Sequence, residues 1–143
     1  MGVLTDLVVA DVSEIDAVRQ SLCPIKTWVG VDAKGMDVVK VGTLWSILSG
    51  ESHDGVVDQL AQGYDNPEGP WVSVVPERLV DNLAGVPESR FEEIALAWAQ
   101  TDEFQFDGTE GTLVNARAYL RGFCEVARQA KARGKRVLMW VCL

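Results

Sequence analysis

The sequence predicts an α+β protein: a mixed sheet of about four strands with helices packed on it. Three observations carry that prediction. Segments of strand character alternate along the chain with segments of helical periodicity. The stretch Arg136 to Leu143 is apolar almost throughout, as in a strand buried inside a sheet. No glycine-rich turn of the G-x-G-x-x-G or P-loop type follows a strand, which argues against a doubly wound nucleotide fold.

The elements follow in order. Leu4 to Ala10 reads as the first strand. Asp11 caps a short helix, Glu14 completes a capping-box pattern, and Ile15, Val18 and Leu22 share its apolar face. Cys23-Pro24 ends that helix. Thr27 to Val31 reads as a second strand. Asp37 caps the next helix, whose stripe is Val38, Val41, Leu44, Trp45 and Leu48, and Gly50 stands just past its end. A short helix covers about Asp54 to Gln62. Gly63 to Pro70 is a loop by every local signal. Trp71 to Val75 is the third strand, and Pro76 opens a helix to about Ala84. Helices follow over about 88–100 and 109–133, separated by the acidic, aromatic segment Thr101 to Gly108. In the long helix Leu113, Ala116, Leu120, Phe123, Cys124 and Ala127 face inward. Arg136 to Leu143 is the fourth strand. Its apolar run over Val137 to Cys142 predicts a neighbour on each side.

The chain's 143 residues fit a single globular domain over 1–143. A hydrophobic fraction of 48% and a charged fraction of 24% are those of an ordinary folded protein. No apolar run reaches the ~20 residues of a membrane span. The start Met1-Gly-Val-Leu-Thr-Asp matches neither a secretory signal nor a myristoylation motif. Cys23, Cys124 and Cys142 are odd in number and lack metal-ligand spacing. They predict free thiols in a reducing cytoplasm, with Cys124 and Cys142 buried.

Formal net charge is -8, and it is unevenly distributed. Residues 51–116 carry fourteen acidic groups against Arg78 and Arg90, whereas residues 117–143 carry seven basic groups against Glu125. An acidic middle excludes general nucleic-acid binding, which needs clustered cations. It suits a basic protein partner instead.

Met1-Gly2, the helix ending Leu44-Trp45-Ser-Ile-Leu-Ser-Gly50 and the Gly69-Pro70-Trp71 approach to a strand form one set of local patterns. The Val75-Pro76-Glu-Arg-Leu-Val helix and the final helix–Gly134–apolar strand continue it. In that order they resemble the YfbM-like group of uncharacterised bacterial proteins, with a shorter stretch between Gly50 and Gly69. The resemblance implies a fold and a bacterial origin. It implies no activity and no functional residue.

The chemistry-bearing residues form no assembled catalytic constellation. His53, the single histidine, lies beside Asp54 in Glu51-Ser52-His53-Asp54. His53 offers a general base oriented by Asp54 or Glu51, with Ser52 nearby, for a small hydrolase-like enzyme, the alternative reading. No nucleophile elbow accompanies them. One histidine and no cysteine pair leave no zinc set, and the 101–110 segment puts Phe where a calcium loop needs oxygen. No cofactor is implied.

The leading expectation is a non-catalytic protein-binding module, inhibitor- or immunity-like, taking a basic partner. Asp102, Glu103 and Asp107 would form an exposed acidic patch with Trp98 or Phe104 at its edge. Trp71, beside the loop of Tyr64, Asp65 and Asn66, would rim a small pocket. The stripe Arg117, Arg121 and Arg128 reads as a solvated helix face, with Arg121 and Glu125 an i,i+4 pair. Its alternative is pairing with the acidic middle, within one molecule or across a homodimer.

Overall fold

The computed structural model describes residues 4–63, 69–105 and 112–143, apart from the side chains of Glu103 and Gln105. Strands β1 (Leu4–Ala10), β2 (Gly30–Asp32), β3 (Trp71–Val74) and β4 (Arg136–Cys142) form one sheet in the order β2-β1-β4-β3. The α+β class and the four strands agree with the sequence. Every pairing is antiparallel, where a mixed sheet was expected. The reason lies in where each connection returns the chain. Parallel neighbours need a crossover back to the starting end of the first strand. Here residues 11–29, which include the short α1 (Ile15–Gln20), bring Gly30 of β2 opposite Val8 near the end of β1, and the helices after β3 bring Leu138 near the start of β4 opposite Val74 at the end of β3.

As expected, β4 is internal, with β1 on one side and β3 on the other. It pairs with β1 along its whole length, from Leu4 opposite Cys142 to Ala10 opposite Arg136. Alternation then divides the sheet into two apolar faces. Leu7, Val9, Val137, Met139 and Val141 join the larger core under the helices. Val8, Ala10, Val72, Leu138 and Trp140 make a smaller core on the other face.

The larger core is closed by α2 (Val38–Ser49), α3 (Asp54–Ala61), α4 (Glu77–Ala84), α5 (Glu88–Ala99) and α7 (Thr112–Arg133). The Asp37 side chain starts α2 by accepting the Lys40 N–H at 2.9 Å. Gly50 ends it with φ of 76°, a conformation that favours glycine. In α7, Ala116, Leu120, Phe123, Cys124 and Ala127 are buried, as their spacing predicted. A single helical turn, α6 (Asp102–Gln105), occupies part of the segment expected to be loop.

Among the described residues, the smaller core is covered mainly by residues 11–29, through Ile15, Val18, Ile25 and Trp28. The Glu14 carboxylate accepts both the Asp11 N–H at 3.0 Å and the Trp28 indole N–H at 2.9 Å, which ties this cover together. Three expectations are corrected in this region and its continuation. Helix α1 stops at Gln20 and Ser21 is extended (ψ 139°), so Leu22 leaves the helical register and points outward. Pro24 starts a 3-10 turn through Lys26, which delays β2 to Gly30 from the expected Thr27. Cys142 lies on the thinly covered face and is half-buried, unlike Cys124. Burial pushes the Cys124 thiol up to about 11, so that side chain is a core packing group. All three cysteines are free thiols.

Candidate interaction surface

The basic stripe of α7 is spanned by carboxylates from neighbouring helices. Arg117 grips Glu92 of α5 at 2.6 Å, and Arg121 reaches Glu88 at 3.4 Å while its guanidinium lies 4.2 Å from the Phe91 ring centre. Lys131 holds Asp81 of α4 at 2.6 Å, and Arg136 lies 3.6 Å from Glu77. The hydrogen bond from Lys131 to Asp81, with the attraction of that carboxylate, raises the lysine above its ordinary pKa. Arg128 donates to the carbonyl oxygens of Val86 at 3.0 Å and Ala84 at 3.4 Å, satisfying backbone at the α4–α5 turn. The stripe is therefore engaged with the acidic middle inside one molecule. Arg121 takes Glu88 rather than the expected Glu125, whose order along the helix is the weaker one.

The expected patch residues separate. Asp102 is exposed on α6 and no described residue pairs with it. The Glu103 side chain and Asp107 lie outside the described residues, as do Tyr64, Asp65 and Asn66. Trp98 and Phe104, expected at the edge of the patch, are instead buried at 0% and 1% exposure. Their rings meet edge to face at 5.0 Å, and the Trp98 indole donates to the Lys40 carbonyl at 2.9 Å. That internal partner for the indole N–H removes the reason for Trp98 to sit at a surface. Phe104 turns the apolar side of α6 inward and leaves Asp102 outward. Trp71 is also buried, within the larger core, and offers no contact surface.

On the helix side, α3 and α6 both pack against α2. Asp54 and Asp58 of α3 are exposed; Asp54 has His53 at 3.6 Å, and Asp58 has no described partner. Beside them, Trp45, Ser52, Gln59, Pro76, Arg78 and Leu79 line a pocket of about 240 Å³. Glu51, on its rim, accepts two hydrogen bonds from Arg78 at 3.1 Å, and that guanidinium lies 5.1 Å from the Trp45 ring centre. His53 does not line this pocket. The Glu51 carboxylate that could have assisted it is turned to Arg78, so among the described residues the carboxylate beside the histidine is that of Asp54. Among the described residues, no group of three His, Cys, Asp or Glu side chains is placed to hold a metal ion. Nor is any described helix long and apolar enough to cross a membrane.

Sequence reading missed one carboxylate. Asp6 is only 7% exposed and stands directly opposite Asp32 across the β1–β2 pair. Burial raises its pKa against the lowering effect of an Ile25 N–H hydrogen bond, and Asp32 raises it further. A native pKa above the unfolded value means the folded state holds this proton more tightly. The stability cost of Asp6 is thus absent below the ordinary carboxylate range and grows as pH rises through its native pKa. Asp6→Asn should stabilise the fold at pH 7, and the gain should vanish near pH 3 in urea titrations at both pH values. Its signal in the sequence was a single acid within a strand that carries no other charge.

Fold and surface together define an α+β protein with helices against an antiparallel sheet and a charged surface largely paired within itself. No family model, curated protein or solved structure matches the chain.

Proposed function

We propose that this protein is a non-catalytic binding module that takes a basic protein partner on its helix side, around α3 and α6. One observation supports this reading above the others. Arg117, Arg121, Lys131 and Arg136 are engaged by Glu92, Glu88, Asp81 and Glu77, while Asp58 and Asp102 face solvent without a described partner. The field left over is acidic, and such a field accelerates encounter with a basic surface. An inhibitor- or immunity-like role in a bacterial cytoplasm would use it in that way. The resemblance to the YfbM-like group adds a bacterial origin to this proposal and no activity. The hydrolase-like alternative has His53 and Asp54 outside the neighbouring pocket, and the Ser52 hydroxyl beside them accepts the Asp54 N–H at 3.3 Å with no described hydrogen bond to the imidazole.

The test uses a lysine-rich peptide as probe, with association followed by stopped-flow fluorescence at low and physiological salt. Association should slow as salt rises, because exposed charges are screened beyond ~8 Å at physiological ionic strength. The double variant Asp58→Lys, Asp102→Lys should slow it about tenfold while leaving the fold intact. Association indifferent to both salt and the two reversals would overturn the reading.

A further inference from the structure

The pocket between α2, α3 and α4 has chemistry that the acidic surface does not use. Its floor is apolar, made by the buried side chains of Trp45, Val56, Pro76 and Leu79. Among the described residues its rim carries one charge of each sign, Arg78 and Glu51. At about 240 Å³ it falls below the ~300–1,000 Å³ of pockets for drug-sized ligands, which suits a molecule of amino-acid size.

We propose that this pocket binds a free α-amino acid with an apolar side chain, its carboxylate on Arg78, its ammonium on Glu51 and its side chain over the floor. The ion pair at the rim is only partly committed to itself. Arg78 carries several N–H donors, of which those of Nη2 meet the two Glu51 oxygens at 3.1 Å, while those of Nε and Nη1 have no described partner. A ligand carboxylate can therefore bind Arg78 at Nη1 or Nε without displacing Glu51. Each Glu51 oxygen accepts one of those bonds and keeps acceptor capacity for an ammonium group. The Trp45 ring, its centre 5.1 Å from the guanidinium, steadies Arg78 before a ligand arrives, which lowers the ordering cost of binding. Charge selects the same ligand. A plain carboxylate would meet Glu51 and a plain amine would meet Arg78, whereas a zwitterion gives each an opposite partner. Gln59, also in the lining and without a described partner, adds a neutral donor and acceptor. Asp58 and Asp102 do not line the pocket, so this site stands apart from the acidic surface.

Amide NMR titration of the full chain with leucine and with phenylalanine tests the proposal. At least one of them should shift the Gly55, Val56 and Arg78 amides, with Kd below about 1 mM. Glycine, which lacks the side chain, should bind at least about tenfold more weakly. So should the analogues that lack one charge: isocaproate and isoamylamine for leucine, hydrocinnamate and phenethylamine for phenylalanine. Arg78→Gln and Glu51→Gln should each weaken binding by about tenfold or more. Circular dichroism should show both variants folded, since both side chains are exposed. No shift at those amides with either amino acid up to about 10 mM overturns the proposal. So does a singly charged analogue that binds as tightly as its parent, or binding that survives both substitutions unchanged.

Discussion

Trp98→Ala should lower the unfolding free energy by about 3–5 kcal/mol, the largest loss expected from any single substitution considered for this chain. The side chain is fully buried and bridges three elements. From α5 its indole donates to the Lys40 carbonyl in α2, and its ring packs against Phe104 of α6 at 5.0 Å and Tyr119 of α7 at 6.2 Å. Truncation leaves a cavity and removes the donor from that carbonyl. Trp98→Phe keeps most of the volume and loses the hydrogen bond, so it should cost less than half as much. Urea unfolding at pH 7 measures both. Equal losses would mean that the hydrogen bond, rather than the packing, dominates the site.

Gly30→Val should cost about 1–3 kcal/mol by overpacking. Gly30 opens β2 opposite Val8, and a Cβ built on it falls against the Leu7 carbonyl oxygen and within 2.9 Å of the Val8 side chain. The obstacle is backbone on one side, so relief requires β1 and β2 to part. The effect should be local. Hydrogen exchange should quicken at Val31 and Ala33, whereas the β1–β4 amides keep their protection. Uniform loss of protection across the sheet would show that β2 is integral to the central pair rather than an addition at its edge.

The portions of this molecule that sequence reading recovered are those governed by local physics. The Asp37 cap and Gly50 terminus of α2, the inward stripe of α7 and the internal position of β4 all follow from periodicity, capping and apolar content. Leu22 shows where that reasoning fails. Its spacing from Val18 continues a helical stripe, but the helix ends two residues earlier, and periodicity carries no information about a terminus lacking a strong cap. The surface was less legible still. Which carboxylate Arg121 meets depends on how α5 lies across α7, a tertiary fact, and the sequence offered Glu125 on the same helix or the acidic middle as a whole, without naming Glu88. Trp98 and Phe104 were expected at the edge of an acidic patch, and both are buried in the core. A groove lined by Leu4, Leu22, Pro70, Trp140 and Cys142 combines residues from β1, β4 and two connections, so no local pattern could announce it.

The central pair has a consequence for the order of events in folding. β1 and β4 are joined along seven residues each, yet Ala10 and Arg136 are separated by nearly all of the intervening chain. Closing so long a loop carries an entropic cost that local contacts cannot recover beforehand, and topologies of this kind fold slowly. During synthesis β1 is made before α2 to α7 and waits for its principal neighbour until β4 has left the ribosome. Helices α2 to α7 can form and associate in the meantime, but they lack the floor they pack on. The nascent chain therefore passes through an interval in which β1 has only the short β2 beside it and its other edge is unpaired, and its yield in cells should depend on how well that edge is shielded before β4 arrives.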